Sequence, residues 1–273
     1  MQMKDIQSVS LEILKFVANI CERNHFRYYL AYGTLLGAVR HHGYIPWDDD
    51  VDIIMPRPDY ERFLEWAACH KEELGPYEIF NRHTNRQYLY AITRISDSRY
   101  EIHKDDEANC GMGIFIDVYP YDGLGNDKDV ALAKLKQTRK LCDLIVDMTR
   151  KDTSIPSQLN WKGKIVFCYK RLVRRLRGLN YYFKQLEILR DNNDFDSSEY
   201  VGPLMWYFCK PHNVLFERRI FGDGMQLQFE DGYFSVPSGY DEMLTQEYGD
   251  YMQLPPVEKR FYQHQYKAYK KDK

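Results

Sequence analysis

The sequence lacks the features of a zinc finger, a disulfide-rich secreted protein or a membrane-spanning protein. Its six cysteines show no CxxC spacing, so we expect reduced, mostly buried thiols. No uninterrupted apolar run is long enough to span a bilayer, and the N-terminal MQMKDIQSVSLEILKFV carries acids inside its apolar pattern, unlike a secretory signal. We therefore predict a cytoplasmic protein.

An excess of charge of either sign is also missing. Lys and Arg total 38 and Asp and Glu total 40 in 273 residues, a formal net charge of -2. This balance argues against nucleic acid as a partner, so any basic surface must be local. Apolar residues make up 44% of the chain, enough for a substantial core.

The residue pattern divides the chain into three parts. Residues 1–125 alternate helical periodicity with extended segments such as YLYAITRIS and GIFIDVYPYDG, and we predict that they form the catalytic core. Residues 126–200 are basic with helical spacing, which predicts a helical insertion. Residues 201–273 return to strands and short helices that complete the same domain. The expected class is α+β, a mixed sheet flanked by helices.

An acidic cluster stands directly before an apolar strand in GYIPWDDDVDIIMPRPDY. Crowded carboxylates raise one another's pKa and cost stability unless a cation lies among them. On an extended strand Asp50 and Asp52 project to the same side. Hard oxygen ligands suit Mg²⁺ or Mn²⁺, so we predict that this pair binds the metal. Asp48 and Asp49 would orient the loop or support the ligands.

Two other interpretations of the acidic cluster agree less well with the sequence. A solvated turn is the commoner meaning of three consecutive acids, but Val51, Ile53 and Ile54 continue the segment as a buried strand. A calcium loop of the D-x-D-x-D type fails at Ile53, where that loop needs glycine. The metal site is therefore favoured.

A third carboxylate and a glycine–threonine turn complete the predicted site. Asp117 interrupts the apolar segment GIFIDVYP, where an isolated acid is costly, and we assign it as the third metal ligand. The alternative is a salt bridge to a core arginine such as Arg94. Gly33 and Thr34 lead into a predicted helix, whose N-terminus can bind phosphate through N–H groups and a hydroxyl. Their alternative is a simple helix cap.

These motifs resemble the signature of the LicD family, bacterial phosphotransferases that are also similar to fukutin and fukutin-related protein. The resemblance is carried, in order, by YYLAYGTLLGAVRHHGYIPWDDDVDIIMPRPDYERF, ITRISDSRY, GIFIDVYPYDGL and YGDYMQLPPVEKRFYQH. It implies a nucleotidyltransferase-like fold and transfer of phosphocholine from CDP-choline to a sugar hydroxyl of teichoic acid or lipopolysaccharide, releasing CMP.

The resemblance also implies roles for individual residues. The acidic motif of the family falls on Asp50 and Asp52, its FID-type motif on Asp117, and its Gly-Thr element on Gly33 and Thr34. One of the strand carboxylates, or Asp49, would accept the hydroxyl proton. Arg40 and Arg94 are candidates for phosphate contacts, and Arg260 and His264 of the C-terminal block are candidates to close the site, because guanidinium groups match phosphate oxygens. A structural ion pair is the alternative for each. Aromatic faces attract the quaternary ammonium of choline, so Trp47, Tyr119 and Tyr121 are candidates to surround it. Core packing is the alternative for each.

Three rival functions stay open at this point. The chain could transfer another phospho-alcohol such as ribitol phosphate, or it could be a true nucleotidyltransferase that leaves a nucleotide on its acceptor. A non-catalytic glycan-binding module would be expected to lack one of the acids, and all are present.

Residues 161–178, WKGKIVFCYKRLVRRLRG, hold seven cations and no acid. Six apolar residues recur at helical spacing and predict an apolar stripe flanked by cations: Ile165, Val166, Tyr169, Leu172, Val173 and Leu176. Such a helix suits the inner face of an anionic membrane, where a lipid-linked acceptor would lie. The alternative is a core-packed helix with a solvated basic face.

Overall fold

Helices and strands of both orientations build the computed structural model, which describes residues 1–85, 87–103, 110–149, 160–190, 193–260 and 267–271. The helices in these ranges are α1 (Met3–Asn24), α2 (Tyr32–His41), α3 (Arg57–Cys69), α4 (Lys128–Thr149), α5 (Trp161–Arg177), α6 (Leu179–Leu189) and α7 (Tyr240–Tyr248). The strands are β1 (Tyr29–Leu30), β2 (Asp52–Pro56), β3 (Tyr77–Phe80), β4 (Thr93–Asp97), β5 (Tyr100–His103), β6 (Ile114–Gly125), β7 (Tyr200–Gly202), β8 (Phe216–Glu217), β9 (Met225–Phe229), β10 (Gly232–Val236) and β11 (Lys267–Lys270). The predicted α+β class is confirmed.

The main sheet is mixed and is organised around the long strand β6. Its order is β1-β2-β6-β4-β3, and β7 extends it by pairing with β6 and β8. β2 runs parallel to β6, whereas β4 and β7 run antiparallel to it. All five residues of β2 are buried, as expected for a strand covered on both faces. The sheet therefore places the end of the acidic cluster against the core.

Helix α1 has the predicted amphipathic face, with Ile13, Leu14 and Val17 fully buried. The segment FRYYLAYG contains only two strand residues, because the chain turns after Ala31 to begin α2. Helix α2 begins at Tyr32, two residues before the predicted start at Thr34. Gly33 therefore lies in the first turn of α2.

The middle of the chain is helical, as its periodicity predicts. Leu141, Cys142 and Ile145 of α4 pack with Phe183 and Leu186 of α6 in a second apolar cluster. Helix α5 buries no residue. The proposed boundaries of the insertion stay a prediction.

The cysteines differ in part from expectation. All six are free thiols, but only Cys21 and Cys142 are buried, whereas Cys69, Cys168 and Cys209 are exposed. The prediction of mostly buried thiols is wrong because these three lie on surfaces rather than on the core-facing sides of their segments. Among the helices in the described ranges, none is both long and apolar enough to cross a membrane.

Candidate active site

Two buried carboxylates lie side by side on the parallel strands β2 and β6. Asp52 and Asp117 are register partners, and each is 7% exposed. The Asp117 N–H donates to the Val51 carbonyl at 2.8 Å, which fixes the strands at this point. The structure therefore brings together two of the three acids that were predicted to bind metal.

The first turn of α2 is tied to the start of β2. The Asp52 N–H donates to Thr34 Oγ1 at 2.9 Å, and the Ala31 N–H donates to the Asp52 carbonyl at 3.0 Å. Thr34 is buried, so its hydroxyl holds the strand in this structure. A phosphate contact from Thr34 stays a prediction.

Tyr32 adopts a strained backbone conformation at this junction. Its φ of 47° lies in the left-handed region, which bulky residues rarely occupy. The Tyr32 hydroxyl is 3.1 Å from the Tyr121 hydroxyl, and its ring meets Tyr119 edge-on with centroids 5.1 Å apart. These contacts hold the Tyr32 ring beside the site.

Gly33 makes room for the carboxylate of Asp48. A Cβ added at Gly33 would lie 2.5 Å from Asp48 Oδ2. Asp48 is fixed from other directions, since its N–H donates to the Ile45 carbonyl and Gln7 Nε2 donates to its carbonyl. Glycine is therefore needed at position 33 for this approach.

Three consecutive acids form a cluster in the described part of the chain. One carboxylate oxygen from each of Asp48, Asp49 and Asp50 lies within 4.8 Å of the others. The predicted strand alternation of Asp50 and Asp52 does not hold, because β2 begins only at Asp52. The structure therefore groups Asp50 with its two predecessors rather than on a strand with Asp52.

The acids nevertheless act on one another through space. Burial raises the pKa of Asp52 well above its usual range, and the charges of Asp50, Asp117 and Asp48 raise it further. Arg94 opposes this rise. A buried carboxyl among like charges is stabilised by a proton or by a cation.

Asp117 is paired with Arg94. Arg94 Nε donates to Asp117 Oδ1 at 2.6 Å, and its guanidinium lies 3.9 Å from the Tyr90 ring centroid and 4.0 Å from that of Phe115. This is the ion pair that the sequence left as the alternative for Asp117. Arg94 Nη1 is buried and finds no hydrogen-bond partner among the described residues. Roles for Asp117 in metal binding and for Arg94 in phosphate binding stay predictions.

A cleft of about 650 Å³ opens onto the acids. Asp48, Asp50 and Asp52 line it, whereas Asp49 is only 1% exposed and does not. The other lining residues come from α2, from the loop before β2, from the last residue of α7 and from the segment that follows it. They include Tyr32, Gly33, Arg40, Trp47, Tyr248, Asp250 and Lys259.

Arg40 and Arg260 join the C-terminal segment to the cleft. Arg40 Nη1 donates to the Tyr251 carbonyl at 2.7 Å, and burial lowers the pKa of Arg40. Arg260 Nε donates to the Pro255 carbonyl, and its guanidinium lies 5.5 Å from the Trp47 ring centroid. His264 lies outside the described residues.

The predicted aromatic residues are distributed unevenly. Trp47 lines the cleft, Tyr119 is half-buried beneath Tyr32, and Tyr121 is sealed in the core. The structure does not bring Tyr121 to the cleft. Sequence reasoning missed Tyr32, Tyr248 and Lys259, although each lies within a segment that carried the resemblance.

The chain is similar to known proteins along nearly its whole length. Residues 25–124 match the family model described as LicD/FKTN/FKRP, nucleotidyltransferase domain. The chain is 30% identical over 278 residues to the lipopolysaccharide cholinephosphotransferase LicD of Haemophilus influenzae, covering 98% of this chain and 97% of that protein. It is 34% identical over 125 residues to an uncharacterised protein of Rickettsia typhi, covering 46% of this chain and 38% of the relative. The matched range 25–124 contains both the Asp48–Asp52 cluster and Asp117.

Proposed function

The chain belongs to the LicD family, and from that membership we propose that it transfers phosphocholine from CDP-choline to a sugar hydroxyl of a cell-surface glycan. The acceptor would be a lipopolysaccharide or teichoic acid precursor. The observation that carries the proposal is the cleft lined by Asp48, Asp50 and Asp52 beside the buried Asp117–Arg94 pair.

The donor set of the cleft fits Mg²⁺ or Mn²⁺. Asp48, Asp50 and Asp52 present carboxylate oxygens to the cleft, and burial together with the charges of neighbouring acids raises the pKa of Asp52. Asp50 and Asp52 would hold the ion, with Asp48 beside them, and Asp117 would contribute after a change in its contact with Arg94. When bound, such an ion neutralises diphosphate oxygens and stabilises the leaving group.

The side chains of the cleft then perform the transfer. The acceptor hydroxyl oxygen attacks the phosphorus that carries choline, and the bond from that phosphorus to the bridging oxygen breaks. CMP leaves with the electron pair. Asp50 or Asp52 takes the hydroxyl proton, since both reach the cleft and Asp49 is buried.

Cations at the cleft suit the diphosphate of the donor. Arg40 and Lys259 line the space, and Lys259 offers a mobile point charge. Arg94 is not part of the cleft lining, and its buried Nη1, which finds no hydrogen-bond partner among the described residues, would bind a phosphate oxygen only once exposed to the cleft. These groups would orient CDP-choline for attack.

Aromatic rings of the cleft suit the choline group. A quaternary ammonium cannot donate a hydrogen bond and is attracted to aromatic faces and negative charge. Tyr32, Trp47 and Tyr248 provide such rings beside the acids. This arrangement replaces the predicted cage of Trp47, Tyr119 and Tyr121.

Product analysis by mass spectrometry tests the proposal. The protein is incubated with Mg²⁺, a lipopolysaccharide or teichoic acid acceptor, and CDP-choline, CDP-ribitol or ATP in separate reactions. We expect the acceptor to gain one phosphocholine, with one CMP released per transfer and no reaction in EDTA. Transfer only from CDP-ribitol, or addition of a nucleotide from ATP, would replace the proposal with one of the rival functions.

A further inference from the structure

Helix α5 presents its most apolar side chains away from the rest of the described protein. Trp161, Ile165, Tyr169, Leu172 and Leu176 are between 56% and 78% exposed. At 3.6 residues per turn they fall within about 80° of the helix circumference. We call these five residues the α5 stripe.

The opposite side of α5 attaches the helix to the protein. Phe167, Arg171 and Arg174 are half-buried on that side, and Arg174 Nη1 donates to Asp147 Oδ2 of α4 at 2.5 Å. The usual arrangement is therefore inverted, because a largely polar side faces the body while the apolar stripe faces outward. The alternative of a core-packed stripe does not hold.

Cations border the α5 stripe on both sides. Lys162 adjoins the stripe on one side, with Arg177 and Lys170 farther round the helix beyond Val166. Arg175 and Lys164 lie on the other side, and all five cations are exposed. Their long apolar stems allow the charged ends to remain at a polar interface while the neighbouring stripe lies in an apolar phase. No acid occurs in residues 161–178 to offset them.

We propose that α5 binds the surface of an anionic lipid bilayer. The α5 stripe would enter the boundary between headgroups and acyl chains, and the bordering cations would contact lipid phosphates. Two other occupants fit less well. A second copy of the chain would oppose the five exposed cations with five more, and a nucleic acid would leave Ile165, Leu172 and Leu176 in water.

The surface does not depend on the transfer reaction. None of its residues lines the cleft, so a failure of membrane binding and a failure of phosphocholine transfer are separate results. Transfer to a water-soluble oligosaccharide acceptor should be the same in all variants below.

Vesicle sedimentation tests the charge requirement. The partition coefficient is measured with phosphatidylglycerol-containing vesicles and with phosphatidylcholine vesicles over a range of salt concentrations. Lys162→Gln, Lys170→Gln and Arg177→Gln together should weaken binding to the anionic vesicles ~100-fold, roughly five-fold for each charge. The matched control changes three exposed lysines of α4, Lys128, Lys136 and Lys140, to Gln and should bind like the parent.

Fluorescence quenching tests insertion of the α5 stripe. Brominated lipids should quench the emission assigned to Trp161 by difference from Trp161→Phe. Ile165→Gln with Leu172→Gln should abolish that quenching without lowering the melting temperature, because both side chains are exposed.

Several outcomes would overturn the proposal. These are equal binding to neutral vesicles, equal loss in the α4 control, and binding that needs the cations but shows no quenching of Trp161. A dimer in sedimentation velocity that the Ile165 and Leu172 substitutions disperse would also overturn it, because the stripe would then be a self-association surface.

Discussion

The cleft and helix α5 both reverse the usual distribution of residues, in opposite directions. Beside the cleft, Asp49, Asp52 and Asp117 are at most 7% exposed, although carboxylates normally face water. On α5, six large apolar side chains from Trp161 to Leu176 are between 50% and 78% exposed. One region buries charge and the other exposes apolar surface.

The two reversals indicate two kinds of outside partner. Buried like charges are relieved by a cation, whereas an exposed apolar stripe is relieved by an apolar phase or another surface. Each region should therefore lower the stability of the isolated protein, and binding of its partner should restore that stability. Substitutions of the buried acids or of the exposed apolar residues should leave the fold intact but abolish binding of the corresponding partner.

The largest expected effect is the loss of turnover when a buried acid is neutralised. Asp52→Asn should lower turnover on the order of 1000-fold, because the amide weakens metal binding and withdraws a proton acceptor. Without metal, its free energy of unfolding should equal or exceed that of the parent, because one like charge is gone. Steady-state kinetics and urea unfolding measure both.

Asp250→Asn is the matched control, since Asp250 lines the same cleft outside the acid cluster. It should lose far less turnover than Asp52→Asn, because Asp250 lies outside the acid cluster. Near-normal turnover in Asp52→Asn would contradict the role of Asp52 in metal binding and proton transfer.

Arg94 tests whether one of the buried charges is already neutralised by the protein. Arg94→Met should lower the free energy of unfolding by about 3 to 5 kcal/mol, because Asp117 is left buried without its partner. Adding Asp117→Asn should recover part of this loss. Urea denaturation measures both variants.

Arg23→Met is the control, because the Arg23–Glu73 pair is exposed. It should cost less than about 0.5 kcal/mol. A similar small loss in Arg94→Met would mean that Asp117 does not depend on Arg94.

Glu247 extends the comparison to a buried carboxyl outside the acid cluster. Its two oxygens find no hydrogen-bond partner in the described ranges, and burial raises its pKa to about 8. The folded protein therefore holds a proton on Glu247 that the unfolded chain releases above a pKa of about 4.5. The free energy of unfolding should fall as the pH rises from about 4.5 to about 8. Glu247→Gln carries no titrating carboxyl, so the difference in free energy of unfolding between this variant and the parent should grow by about 4 kcal/mol between pH 5 and 8.5.

Thermal unfolding from pH 5 to 8.5 measures the difference in stability between Glu247→Gln and the parent. Glu242→Gln serves as the control, because Glu242 lies on the same helix, is exposed and pairs with Arg219. A difference between Glu247→Gln and the parent that stays constant with pH would mean that Glu247 is ionised in the folded protein.

Two glycines of α2 separate site geometry from packing. Gly33→Ala should displace only the flexible Asp48 carboxylate and reduce turnover about tenfold with little loss of stability. Gly37→Ala should instead destabilise the fold, because its Cβ would lie 2.4 Å from the Gly43 carbonyl oxygen. Equal activity of Gly33→Ala and the parent would show that the position of Asp48 is unimportant.

The smallest expected effect is on α5. Changing Leu172 and Leu176 to Gln should alter the free energy of unfolding by less than about 0.5 kcal/mol, because both are exposed. Leu186→Ala on α6 should cost about 2 to 5 kcal/mol, because Leu186 is fully buried. A large loss in the α5 variant would mean that the stripe is packed in solution.

Local patterns in the sequence predicted much of this arrangement. The apolar continuation after the acids predicted a buried β2, and the isolated Asp117 predicted an internal partner. The helical spacing in residues 161–178 predicted α5 and its stripe. Each of these signals depends on near neighbours in the chain.

Features that depend on how segments meet in space were predicted only in part. The pairing of Asp117 with Arg94 stood only as the alternative to a metal role, and it follows from the register of β4 against β6. The clustering of Asp48, Asp49 and Asp50 follows from the turn before β2, where Asp48 bonds to Ile45. Tyr248 reaches the cleft because α7 packs near α2, which no local pattern shows.

Binding of Mn²⁺, followed by its electron paramagnetic resonance signal, tests the central claim most directly. The parent should remove free Mn²⁺ from solution, and Asp50→Asn and Asp52→Asn should each weaken this binding at least about tenfold. The folded state of each variant is checked by circular dichroism. If the parent does not bind Mn²⁺, or if both variants bind it as tightly as the parent, Asp50 and Asp52 do not form a metal site.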